Sequence, residues 1–386
     1  MSATSVIDRI ETRVVHAESR NWVFVLVRTS DGLTGLGEAT LEWKTRAVTG
    51  CVEDLSPLLL GRDASDPVAL WDEIVLRGYY PLGSVVATAL SGIDQALWDM
   101  AGKRSGVPVW RLLEPSAARA SLPAYINLPN GESSANGYVP DASPIRAAIA
   151  AAREAGFRAV KWKPVAPGSS GRESGAVRAL VEETLATGTS VALDVHGRMT
   201  GDSARALVRE WPEGGWERFL FLEEPCRPED QAGWRALRRA TRLPLATGER
   251  LSSRFPFREI VREGVADVLQ PDVCRIGGIT EAARLAREFP ARAIAPHCPL
   301  GPVALAASVQ LGFAFGNVMT QEVFVRDAPW RDGVIAGAPR PSAGVFAPPT
   351  APGLGVTLDE RAAAAHPFAE VAPPRPTDPE GRPLPW

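Results

Sequence analysis

Seven side chains able to carry a charge or a proton recur through the chain at Lys163, Asp194, Glu223, Glu249, Asp272, His297 and Glu322, successive positions lying 23 to 31 residues apart. Each ends a short apolar run, as in Lys161-Trp162-Lys163, Asp194-Val195-His196, Glu223-Glu224-Pro225 and Gly248-Glu249-Arg250. Brought to one place, they could perform acid–base chemistry beside a cation. Neighbouring carboxylates repel one another and are costly to bury unless a positive charge neutralises them. All-carboxylate ligation suits Mg2+, which keeps positions open for water or substrate oxygens. Asp194, Glu223 and Glu249 are therefore the expected metal ligands. An Asp carboxylate against an imidazole orients the ring and raises its basicity; Asp272 and His297 fit that pairing.

Scarcity sharpens these assignments. Histidine occurs only at 16, 196, 297 and 366, yet two of the four fall at the ends of apolar runs. Lysine occurs only at 44, 103, 161 and 163, within 42 Lys and Arg residues. A chain that favours arginine so strongly, yet keeps Lys161 and Lys163 together, points to a need for a titratable amine rather than a surface pair. Glu224 reads as a supporting carboxylate. Arg250 could bind a substrate carboxylate or merely brace Glu249. Tripeptides such as Glu-Glu-Pro mean little alone; the joint spacing carries the signal.

Elements must deliver these residues to one place. Apolar runs predict strands at 124–128, 159–163, 190–194, 219–223, 245–249, 267–272, 291–297 and 317–322. Helical spacing marks 145–155, 174–185, 203–211, 234–240, 257–261, 281–289 and 304–313 between them. Alternating units of this length imply a parallel sheet, and eight strands imply a (β/α)8 barrel whose active site lies at the C-terminal mouth. Ahead of it, residues 1–122 read as an α+β capping domain: a hairpin of 23–27 and 33–38, then helices at 45–60, 67–77 and 85–103. The barrel is assigned to 123–337, and 338–386 to a segment returning to the cap. Its end, 371–386, is proline-rich and expected to be extended and poorly packed.

The motifs DVHGR (194–198), LEEP (222–225), ATGER (246–250), LQPDVCRIGGITE (269–281), APHCPLGPVALAAS (295–308) and SGIDQALWDMAGK (91–103) resemble the enolase superfamily in its mandelate racemase/muconate lactonizing enzyme branch. Within it the chain is most similar to D-galactonate dehydratase-like acid-sugar dehydratases. The resemblance spans nearly the whole chain. It implies a Mg2+-dependent hydro-lyase that takes the proton next to the carboxylate of a sugar acid and expels the C3 hydroxyl, giving a 2-keto-3-deoxy acid. By the resemblance His297 is the base, supported by Asp272. His196 is the acid, Glu322 hydrogen-bonds the substrate, and Lys161 and Lys163 stand on the opposite face as charge or second base. The segments 78–83 and 127–131 depart from the family pattern in loops that set substrate choice.

Two rivals remain: a racemase or epimerase using Lys163 and His297, and a sugar-acid binding protein without turnover. The complete ligand set and dyad argue against the latter. A net charge of −3 offers no field for a nucleic-acid backbone. No apolar run approaches a membrane span, and the first residues lack a signal-peptide core. The four cysteines form no CxxC pair and read as reduced. A cytoplasmic enzyme is expected, and, from the resemblance, a homo-oligomer.

Overall fold

Residues 22–27 are apolar at every position, and a strand's pleat sends alternate residues to opposite faces. Val23, Val25 and Val27 enter a core made with the N-terminal helices, whereas Trp22, Phe24 and Leu26 enter the larger core of the rest of the chain. Burial on both faces removes the polar alternation of a surface strand. The computed structural model describes residues 5–128, 142–209, 211, 214, 216–324, 328–378 and 380–384. Its N-terminal strands β1 (Ile7–Ala17), β2 (Arg20–Thr29) and β3 (Thr34–Glu38) form an antiparallel sheet in that order. β1 is additional to the expected hairpin.

Helices α1 (Thr45–Leu55), α2 (Pro67–Arg77), α3 (Ser84–Ser105) and α4 (Val109–Leu113) follow. α3 lies directly on β3. A Cβ on Gly35 or Gly37 would stand 2.0 Å from the carbonyl oxygen of Ala96 or Gly92, so only glycine permits this approach. Gln95 of α3 accepts from the Glu38 backbone N–H and donates back to its carbonyl. Asp94 instead accepts from the backbone and hydroxyl of Thr280, pinning α3 to the C-terminal unit.

That unit alternates strand and helix: β4 (Leu122–Asn127), α5 (Ser143–Glu154), β5 (Ala159–Trp162), α6 (Ser174–Ala186), β6 (Ser190–Asp194), α7 (Gly201–Val208), β7 (Phe219–Glu223), α8 (Gln231–Ala240), β8 (Leu245–Thr247), α9 (Phe255–Glu263), β9 (Val268–Leu269), α10 (Gly278–Glu288), β10 (Ala293–Ile294), α11 (Pro302–Ala314) and β11 (Gln321–Phe324). Parallel pairing runs unbroken from β4 to β10, and β11 pairs with β4. The seam between β10 and β11 is closed by a parallel bridge from Ile294 to Val318. The result is an eight-stranded (β/α)8-type barrel. The strands expected at 267–272 and 291–297 shrink to two residues each, because the chain leaves the ladder before its polar residues.

The remaining elements are α12 (Arg331–Val334), β12 (Ile335–Ala336), β13 (Val345–Phe346), β14 (Thr357–Leu358) and α13 (Glu360–Ala364). β13 pairs with β4. Glu360 of α13 pairs with Arg13 and Arg28 of the N-terminal sheet, and Asn21 exchanges hydrogen bonds with the Ala369 backbone, so this stretch returns to the cap. The end goes elsewhere than expected: Leu384 packs on Gly168 in the loop after β5, where a Cβ would meet its Cδ2 at 2.8 Å. Among the described residues no helix is long and apolar enough to cross a membrane.

Candidate active site

One layer of the barrel interior is apolar: Tyr125 of β4, Ala192 of β6, Phe221 of β7, Ala246 of β8 and Val268 of β9 pack together with Ala295, just after β10. Residues two further along each strand face the same way. They are Asn127, Asp194, Glu223, Gly248, Gln270 and His297, and with Glu249, Asp272 and Glu322 they make a polar layer toward the C-terminal mouth. The sheet register sets Asp194 beside Glu223 on adjoining strands. Asp194, Glu223, Glu249, Asp272, His297 and Glu322 are all buried beneath the cap.

His297 Nδ1 stands 2.7 Å from Asp272 Oδ2. Its Nε2 is 2.8 Å from Glu249 Oε2. Burial disfavours the imidazolium, but the Glu249 charge and the Asp272 bond outweigh it and raise His297 to about 10. Burial alone would raise Glu249 as well; His297 holds it well below the usual carboxylate range. Across the barrel, His196 Nε2 lies 2.8 Å from Asp194 Oδ2. Burial would push Asp194 up, yet His196 and Lys161 hold it down, while burial lowers His196 against the Asp194 charge.

Lys161 is fully buried, 2.7 Å from Glu223, 2.8 Å from Glu322 and 3.8 Å from Asp194. Burial opposes its charge, but Glu223 and Glu322 raise its pKa well above the usual lysine value. It places one ammonium among three carboxylates. Lys163, half-buried one pleat further on, is lowered by burial, against the pull of Asp194. Glu322 accepts from Asn127 at 2.9 Å and from the Cys298 N–H at 2.8 Å. Burial raises its pKa, and Lys161 and His297 more than offset that, leaving it below the usual carboxylate value.

Arg250 lies against two carboxylates and a backbone oxygen. Nε is 3.2 Å from Glu224 and 3.5 Å from Glu249, and Nη2 donates to the backbone oxygen of His196. The clamp holds two non-glycine residues with left-handed backbones, His196 at φ 56° and Glu224 at φ 42°.

Among the described residues no three His, Cys, Asp or Glu side chains converge as they would around an ion. Each expected ligand turns to its nearest cationic or imidazole partner instead: Glu223 to Lys161, Asp194 to His196, Glu249 to His297. The donor set still fits Mg2+. Oε1 of Glu223 is buried with no hydrogen-bond partner among the described residues. Burial first, then the charges of Asp194, Glu322 and Glu249, push Glu223 up to about 8 despite Lys161. A divalent cation between these oxygens would relieve both.

Three contributors escaped sequence reasoning, and a fourth, Asn127, was read only as part of a divergent loop. Asn127 and Gln270 are inward residues of the polar layer, and Gln270 is buried with no hydrogen-bond partner for its amide among the described residues. The period-two count from Tyr125 and Val268 was the available signal. Arg275 and Glu42 pair at 2.8 Å, 233 residues apart, a contact only the fold creates. Of the segments that depart from the family pattern, 129–131 lie outside the described residues, while Tyr79 and Tyr80 of 78–83 are exposed at the tip after α2.

Residues 145–362 match the family model described as enolase C-terminal domain-like. Residues 4–114 match that of the mandelate racemase/muconate lactonizing enzyme N-terminal domain. A D-galactonate dehydratase from Ralstonia pickettii is 36% identical over 353 residues, covering 88% of this chain and 89% of that protein. Another from Pectobacterium atrosepticum is 35% identical over equal coverage. A crystal structure of an enolase from Agrobacterium radiobacter, bound to sodium and L-malate, superposes with a TM-score of 0.87 at 28% identity, covering 98% of this chain and 99% of that one.

Proposed function

The chain belongs to the mandelate racemase/muconate lactonizing enzyme family of the enolase superfamily, and from that premise we propose that it dehydrates a sugar acid, an aldonate such as D-galactonate, to a 2-keto-3-deoxy acid. The observation that carries this reading is a pair of imidazoles on opposite walls of the barrel. His196 follows β6 and His297 follows β10, four strands apart in a ring of eight.

His297 Nε2 takes the C2 proton, and the electron pair moves toward the substrate carboxylate. The C3–O bond then breaks, a protonated His196 ring gives a proton to the departing hydroxyl and becomes neutral, water leaves, and the enol relaxes to the 2-keto acid. Asp272 holds the His297 ring and stabilises the imidazolium that forms. Arg250 and Glu224 fix the turn that presents His196. Asp194, Glu223 and Glu249 would hold Mg2+, which supplies positive charge beside the substrate carboxylate when the C2 proton leaves. Lys161 anchors Glu223 and Glu322 within the same layer, and Glu322 would hydrogen-bond the enediolate oxygen. The cap of 1–122, the barrel of 123–337 and the tail of 338–386 are the units in which we place this reaction, in the cytoplasm and in a homo-oligomer.

One observation supports a second reading. Lys163, lowered by burial, follows β5 on the wall away from β10, where a second base would serve a racemase or epimerase. The test is a screen of the purified protein with Mg2+ against sugar acids of four to six carbons, following 2-keto acid formation and deuterium exchange at C2. Keto acid supports dehydration. Exchange or epimerisation without keto acid replaces it with the second reading.

A further inference from the structure

Asp272 Oδ2 has two cationic suitors. His297 Nδ1 stands 2.7 Å away, and Arg275 Nε stands 3.5 Å away from the same oxygen. Arg275 sits on the turn that leaves β9, where its backbone N–H bonds to the Asp272 carbonyl at 2.9 Å. Only Nε of the guanidinium meets Asp272; its other nitrogens are held elsewhere, Nη1 donating to the Glu249 carbonyl at 3.5 Å. Nη2 donates to Glu42 Oε2 at 2.8 Å, in the loop between β3 and α1. The other Glu42 oxygen takes Arg20 Nη1 at 3.1 Å, and the same Nη1 donates to the carbonyl of Pro299 at 2.6 Å, two residues beyond His297. Side-chain exposures of 16% for Arg20, 20% for Glu42 and 14% for Arg275 keep the chain of charges away from bulk screening.

We propose that Glu42 is a positioning residue: by holding Arg275, it leaves Asp272 to His297, so the dyad is properly set only when the cap loop is seated on the barrel. This rests on the reading of His297 as the base. The geometry supports a seated loop with a defined shape. Trp43, next to Glu42, adopts a left-handed backbone at φ 60°, a conformation a bulky residue keeps only where its surroundings hold it. Glu42 and Trp43 also line a cavity of about 140 Å3 between this loop and the returning tail at Phe368. When the loop lifts, Arg275 loses its counter-charge and turns to the nearest remaining carboxylate, Asp272. The imidazole then shares its acceptor with a permanent cation and loses its fixed orientation. Proton abstraction is thereby tied to cap closure.

The test uses the full chain, 15N-labelled at histidine, and observes the hydrogen-bonded Nδ1–H proton of His297, assigned by its loss in His297→Asn. In Glu42→Gln this resonance should shift upfield or broaden, and in Glu42→Gln/Arg275→Met it should return, because the freed guanidinium is gone. Turnover on the acid best used in the substrate screen should follow: kcat about tenfold lower in Glu42→Gln with KM nearly unchanged, and largely recovered in the double variant. Glu42→Asp should lie between wild type and Glu42→Gln. A resonance unmoved in Glu42→Gln, or a double variant no better than the single one, overturns the positioning role alone. Absence of any resonance that His297→Asn removes overturns the dyad beneath it.

Discussion

Nε2 of His297 lies 2.8 Å from Oε2 of Glu249, so the proposed base and one proposed metal ligand occupy each other. Glu249 is the main reason His297 is raised to about 10 against its burial. Taking that carboxylate into a metal site removes the partner and lowers the pKa of the ring. Below about pH 10 the ring starts protonated, so Mg2+ binding near pH 8 should release a proton. Calorimetric titration in buffers of different ionisation enthalpy reads that proton directly. Heats independent of buffer would show that His297 and the metal do not share Glu249.

Glu223 carries the opposite perturbation, with a buried oxygen in want of a partner. Glu223→Gln should weaken Mg2+ binding by at least about tenfold. Lys161 keeps Glu322 at 2.8 Å in this variant, so the fold should persist. Unchanged affinity in the same titration would move the ligand elsewhere.

The two histidines separate the two half-reactions. His297→Asn should depress C2 exchange by about 10²- to 10⁴-fold, the usual worth of a general base. His196→Asn should lose dehydration by a similar factor and keep exchange. NMR of substrate in D2O follows both signals at once, and dehydration surviving in His196→Asn would remove it as the acid.

Asp94, between α3 and the start of α10, gives a stability prediction. Burial pushes it up to about 7, more than the Thr280 hydrogen bonds pull it down. From its ordinary value near 3.8 up to about 7 the folded chain therefore binds more protons here than the unfolded chain. This contribution to stability falls as pH rises through that window. The urea midpoint should drop between pH 5 and 7.5, and Asp94→Asn, whose amide can still accept from the Thr280 N–H, should flatten the slope. A steeper slope in the variant would show that the Thr280 donors outweigh burial.

Much of the site is legible in the order of residues alone because they obey one rule: a charged residue ends each apolar run. Ser190–Asp194 and Phe219–Glu223 match their expected strands to the residue, since continuous apolar runs of that length end in a carboxylate and are bounded by turns. The strands around Val268 and Ala293 are shorter than expected because apolar character marks burial, and the ladder ends sooner than burial does. Arg250 could not be assigned from sequence, as its brace depends on Glu224 from the preceding strand. Glu42 is invisible there for a stronger reason. Its partners Arg20 and Arg275 come from the cap and the barrel, and nothing in the spacing of a cap residue announces a barrel partner.

Leu384 rests on Gly168, in the loop immediately beyond the lysine-bearing strand. A Cβ at position 168 would crowd that leucine and would need a left-handed backbone at φ 74°, so Gly168→Ala should loosen the hold of the carboxyl-terminal stretch on this loop, a release that limited proteolysis would read.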